Sequence, residues 1–150
     1  MKQIIKLSFI FLFITTLGCD NAVDCTTPPV SLNFEFVDVD SGQNLFTNGA
    51  FDSKKAITVT DLDTNKIIQT AYMKTDELNR LVINSIGFEV GTFNYGIRYD
   101  DKNIFELHVT TEKIKDNHCS GTKIRSIEIK NASYRFDDKT GSYKILFKAG

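Results

Sequence analysis

The 150-residue chain has no tryptophan, three cysteines and two histidines. Each scarcity removes a function class. Trp is a favoured platform for stacking on sugar faces, so a glycan-binding role starts at a disadvantage. Hydrolytic catalysis needs a nucleophile, a base and an orienting group, and only His108 and His118 supply an imidazole. His108 falls on the polar side of an alternating run, where a solvated side chain is expected, and His118 falls in a connection. Asp137 and Asp138 fall in a turn, where carboxylates face water. A closed zinc site needs four ligands with local pairs such as C-x2-C, and Cys25, His118 and Cys119 have no such spacing. These residues specify no catalytic group, metal or cofactor, and the chain is not read as an enzyme. A basic excess is also missing. Without Lys2 and Lys6, the 18 basic residues become 16 against 19 acidic ones, a net charge of −3. That balance offers phosphate nothing to meet, so no nucleic-acid partner is expected.

What is present begins at the N-terminus. Lys2 and Lys6 give a positive start, "LSFIFLFITTL" (Leu7 to Leu17) is a short apolar run, and Gly18 is a small residue before Cys19. This is the layout of a bacterial export signal. Eleven residues are too few to cross a hydrocarbon core of ~30 Å as a helix. Residues 1–18 are therefore read as a signal peptide, 19–29 as a short tether and 30–150 as one domain. The 132 residues from Cys19 onward are enough to bury a core.

The segment "TLGC" (Thr16 to Cys19) resembles the lipobox of bacterial lipoproteins. That resemblance implies a diacylglycerol thioether on Cys19, cleavage before it and acylation of the new α-amino group, with palmitate among the expected chains. Thr16 stands where the lipobox usually has Leu. Thr16 and Gly18 also fit a small-x-small site for ordinary secretion, which stays open as the alternative. One acyl chain anchors marginally at ~0.8 kcal/mol per buried methylene, whereas two or three hold firmly. With Cys19 assigned to lipid, Cys25 and Cys119 remain as an even pair in an oxidising compartment and are read as a disulfide. Cys19 to Cys25 spans six steps, roughly 20 Å when extended.

Beyond the leader the apolar period is two rather than 3.6. The runs are Val30 to Phe36, Ile57 to Val59, Leu81 to Ile83, Phe93 to Tyr99, Phe105 to Val109, Ile127 to Ile129, Tyr134 to Phe136 and Tyr143 to Phe147. "DLDTNK" (Asp61 to Lys66), "DDKN" (Asp100 to Asn103) and "DDKTGS" (Asp137 to Ser142) supply hairpin turns, with Gly141 able to take positive φ. Asp76 to Asn79 is read as a single helical turn. The expected fold is all-β: a single antiparallel sandwich of about eight strands, Ig-like or transthyretin-like, behind the signal segment.

The stretch "DSGQNLFTNGAFDSKK" (Asp40 to Lys55) exceeds what a hairpin needs, and loops of that length are often functional. Its Leu45, Phe46 and Phe51 either cap one end of the core or meet a partner. "DVDSGQN" and "DLDTNK" space acidic residues as a calcium loop does. Such a loop needs Gly at its sixth position and Glu at its twelfth. Gln43 and Lys66 occupy the sixth positions and Gly49 and Tyr72 the twelfth, so both are read as turns. The triplet Asn131 to Ser133 matches a glycosylation acceptor, discounted here because the leader is bacterial in type.

"FVDVDSGQNLF" (Phe36 to Phe46) resembles a recurring stretch of small lipoproteins of Bacteroidetes-type bacteria, with Ser41 in place of the usual Thr. That resemblance implies a sandwich domain behind a lipobox in the bacterial cell envelope, with the outer membrane as the expected place, and it assigns no activity. The expected role is a membrane-anchored, non-catalytic module that meets the bilayer through its N-terminal lipid and binds an envelope protein. A glycan-binding accessory is the second expectation.

Overall fold

Period-two patterning becomes nine strands in the computed structural model, which describes residues 30–68, 70–75, 78–86, 88–100, 102–114 and 121–148. They are β1 (Val30–Asp38), β2 (Ile57–Asp61), β3 (Thr70–Thr75), β4 (Leu78–Ile86), β5 (Gly91–Tyr99), β6 (Lys102–Lys113), β7 (Thr122–Lys130), β8 (Ser133–Asp137) and β9 (Ser142–Phe147). A five-stranded sheet runs β3-β4-β1-β9-β8, and a four-stranded sheet runs β2-β5-β6-β7. The expected signal segment and tether, all three cysteines and His118 lie outside the described residues.

The two sheets bury their inward rows against each other as a sandwich. Leu32, Phe34 and Phe36 of β1 meet Ile97 of β5 and Phe105, Leu107 and Val109 of β6 in one cluster. The Phe34 and Phe105 rings lie 5.3 Å apart across the layer. Each such side chain contributes roughly 1.5–3 kcal/mol when fully buried. On the opposite face of β1, Glu35 is also buried and sits directly across from Arg80 of β4. Their charged groups approach to 3.2 Å without an aligned hydrogen bond.

Three features depart from expectation. β1 and β9 run parallel, with Asn33 beside Ser142 and Asp38 beside Phe147. No short turn joins these two strands, so nothing local requires them to be antiparallel. β3 (TAYMKT) is a ninth strand, whose weak alternation gave no signal. Leu78 and Asn79 belong to β4 rather than to a helical turn.

The turn chemistry takes the expected forms at β5-β6 and β8-β9. Asp100 has φ 46° and Gly141 φ 63°. Gly141 N–H and Thr140 N–H both donate to the Asp137 carbonyl. The Asp61 to Lys66 turn differs. Its Asp61 carboxylate accepts from the backbone of Asp63 and Thr64, both at 2.9 Å. The chain then folds back only as far as the Thr60–Ile67 bridge before β3 appears in the other sheet.

Register places these parts at two ends. Val30 pairs with Ile86, Gly91 with Thr111 and Lys113 with Thr122, so the start of β1 shares one end with the β4-β5 connection and the end of β6. The long β1-β2 connection leaves from Asp38 and rejoins at Ile57, opposite Tyr99, at the other end.

Candidate functional site

The long loop turns inward. Phe36 carbonyl accepts from Leu45 N–H, and Leu45 carbonyl accepts from Phe51 N–H, each at 2.8 Å. Leu45 is buried, while Phe46 and Phe51 are half-buried against the core. Phe51 stacks on Tyr99 with centroids 4.3 Å apart and planes 5° from parallel. Phe46 meets Phe51 edge-on at 5.3 Å, and Phe147 lies 5.5 Å from Phe51. Tyr99 Oη accepts from Asp52 N–H at 2.6 Å. Behind the loop lies a depression of about 280 Å³, lined by Phe46, Lys54, Lys55, Ile57 and Leu81. Lys55 is paired with Asp100, which holds the ammonium pKa above its ordinary value. The three residues singled out for contact thus stand together at the end remote from Val30.

A different aromatic group stands on β8, an edge strand of the five-stranded sheet among the described residues. Phe136 pairs with Tyr143 and Tyr134 with Ile145, which puts both on the core-facing side of the sheet. They are nevertheless 49% and 43% exposed. Phe136 and Tyr143 have ring centroids 4.8 Å apart, and Tyr134 and Tyr143 6.1 Å. Tyr143 reaches Phe34 of the core at 5.7 Å. Burial raises the pKa of its phenol. Beside this strip, a depression of about 480 Å³ is lined by Arg135, Phe136, Asp137, Lys139 and Lys144. Asp137 pairs with Lys144 at 2.6 Å, and that bond holds the carboxyl below its usual range. Sequence alternation reads Tyr134 and Phe136 as ordinary core positions. Their exposure goes with the place of β8 at a sheet edge, which a single sequence does not display.

His108 is less solvated than its place on the polar face suggests. Its side chain is 20% exposed. Asn94 donates its amide to the Asp63 carboxylate at 3.0 and 3.2 Å, so Asn94 Oδ1 is left as an acceptor. His108 Nδ1, 2.6 Å away, therefore carries the proton. Nε2 lies 3.4 Å from Glu106 Oε2 without an aligned bond. The chain of contacts clips the Asp61 to Lys66 turn over β5, where Leu62 lies on the outer side of Gly96.

The two acidic turns use their oxygens internally. Asp38 Oδ1 accepts from Ser41 N–H and Oγ–H at 2.7 and 2.8 Å. Among the described residues no group of three or more acidic, His or Cys side chains converges as a metal cage. Cys19, Cys25 and Cys119 fall outside the described residues, and with them the expected lipid site and the expected disulfide.

Comparison with protein-family models, with curated proteins and with solved structures finds no match. The class that can be stated is therefore architectural: an all-β, sandwich-like protein.

Proposed function

We propose that this protein is a non-catalytic interaction module of the bacterial envelope, held by lipid on Cys19 and binding an envelope protein through the open edge of β8. The observation that carries the reading is the exposed Tyr134–Phe136 pair on an edge strand, backed by Tyr143. An unpaired strand edge is a template for another chain unless it is blunted. A partner strand added there gains backbone hydrogen bonds, and its alternate side chains find the aromatics. Aromatic residues are enriched at binding hot spots. The lipobox-like segment and short tether support the address, with the outer membrane as the expected location. Within the sandwich class, we read the fold as Ig-like or transthyretin-like.

The edge is tested in the full chain by a photo-crosslinking residue in place of Arg135. The expected result in intact cells is one discrete protein adduct, lost in Tyr134→Ser and Phe136→Ser variants that melt normally. An adduct unchanged by both substitutions overturns the edge as the binding site. The anchor is tested separately by the mass of the mature N-terminus, where unmodified Cys19 overturns lipidation.

One observation favours a second reading, a glycan-binding accessory. Phe136 borders a depression also lined by Arg135, Asp137 and Lys144, an aromatic face beside polar hydrogen-bonding groups. Retention on a polysaccharide column that Phe136→Ser abolishes, with no protein adduct, would select that reading.

A further inference from the structure

The end of the sandwich that carries Val30 also carries the most exposed phenylalanine among the described residues. Ile86 pairs with Val30, and two residues later Phe88 is 66% exposed, followed by Val90 at 60%. Val30 itself is 38% exposed. Large apolar side chains so placed contribute nothing to the core. The connection that bears them is nonetheless fixed. Buried Thr111 donates its hydroxyl to the Glu89 carbonyl at 2.5 Å and accepts from Gly91 N–H at 3.0 Å. One hydroxyl thus clamps both sides of Val90 to β6.

We infer that Phe88 and Val90 form a second membrane contact, entering the bilayer interface beside the lipid-bearing tether. The inference rests on the lipid anchor of the proposed function. The chain outside the described domain supports this occupant. From Cys19 to Val30 is eleven steps, at most ~40 Å when fully extended. The tether enters the domain at Val30, so this end lies nearest the lipid along the chain. The two or three chains expected on Cys19 hold the protein to the bilayer without a second contact, so this contact sets how the domain is oriented on the membrane. It is apolar rather than electrostatic. Around this end Glu89, Glu112, Asp137 and Asp138 stand against Lys113, Lys123, Arg125, Lys139 and Lys144, with Lys123 and Arg125 both on Glu112 and Lys144 on Asp137, so no polybasic cluster forms. The contact should therefore persist in high salt, unlike a polybasic attachment.

The lack of tryptophan makes an introduced one a lone reporter. The test uses the full chain, purified in its processed form and incorporated into phosphatidylcholine vesicles with and without lipids brominated near the headgroup. Phe88→Trp is compared with Ile67→Trp, an exposed site bridged to Thr60 and level with Gly96. Gly96 lies five strand positions from Gly91, roughly 17 Å. The expected result is a blue-shifted Phe88→Trp emission, at least about twofold quenched by the brominated lipid and unchanged in high salt, with Ile67→Trp unaffected. Vesicle-bound protein whose Phe88→Trp is no more quenched than Ile67→Trp overturns the contact while leaving the anchor intact. A blue shift without quenching points to protein packing and also overturns it. Protein left in the soluble fraction overturns the anchor, and this contact with it.

Discussion

Replacing Phe51 by Ala tests whether the long loop is part of the fold. A fully buried Phe→Ala change costs ~3–5 kcal/mol. Phe51 is half-buried, which reduces that to about 1.5–2.5 kcal/mol. Its parallel stack on Tyr99, 4.3 Å away, adds about 0.5–1.5 kcal/mol. The expected loss is therefore about 2–4 kcal/mol. For a domain of this size, each kcal/mol moves the melting midpoint by roughly 3–6 °C, giving a fall of roughly 6–24 °C. Thermal and urea melts of the full chain measure it. Tyr99→Phe separates two contributions, because it keeps the ring and removes the hydroxyl that accepts from Asp52 N–H, at a cost of about 1 kcal/mol. Phe51→Ala combined with Tyr99→Ala should fall short of additivity, since the rings share one contact. A loss under about 0.5 kcal/mol for Phe51→Ala would refute the reasoning. The loop would then be only loosely attached, and Phe46 and Phe51 would be free to serve a partner.

Gly96→Ala places a Cβ 2.9 Å from Leu62 Cδ2, the flexible end of a side chain; a cost of about 1 kcal/mol or less is expected, relieved by adding Leu62→Ala, and a larger cost that Leu62→Ala fails to relieve would count against this packing. Asp61 and Asp137 both have carboxyl pKa values below the usual one, Asp61 chiefly through the Thr64 N–H and Asp137 chiefly through Lys144. Their stabilisation is present above the unfolded value near ~4 and is lost as pH falls through the folded one; Asn variants should flatten the fall in melting temperature between about pH 5 and pH 2, and unchanged slopes would contradict the assignment. Thiol counting under denaturing, non-reducing conditions should find Cys25 and Cys119 blocked, and two free thiols would end the disulfide reading.

How far the sequence could be read depended on how local each cause was. Turns were legible because Asp, Asn and Gly set their own backbone, as at Asp100 and Gly141. Inward rows such as Phe34–Phe36 and Phe105–Val109 were legible because alternation is a property of each strand alone. β3 was not, since its strand character comes from pairing with β4 rather than from its own pattern. The parallel β1-β9 pair depends on which distant strands become neighbours. Burial of Glu35 depends on Arg80 of β4, and the exposure of Phe136 depends on β8 falling at a sheet edge. The aromatic loop was noticed from its length and composition, but its stacking on Tyr99 required the fold.

The parallel pairing of β1 with β9 also constrains how the chain folds. Asn33 and Ser142 are 109 positions apart in sequence, yet they are neighbours at the middle of a sheet. The β5-β6 and β8-β9 hairpins close over short loops and can form early. β1 gains its second neighbour only after most of the chain has been brought together, and such distant pairing slows folding. A chain delivered N-terminus first therefore presents β1 long before β9 exists to receive it. Until then the strand carrying Phe34 and Phe36 has one side open, which makes it the segment most exposed to wrong pairing.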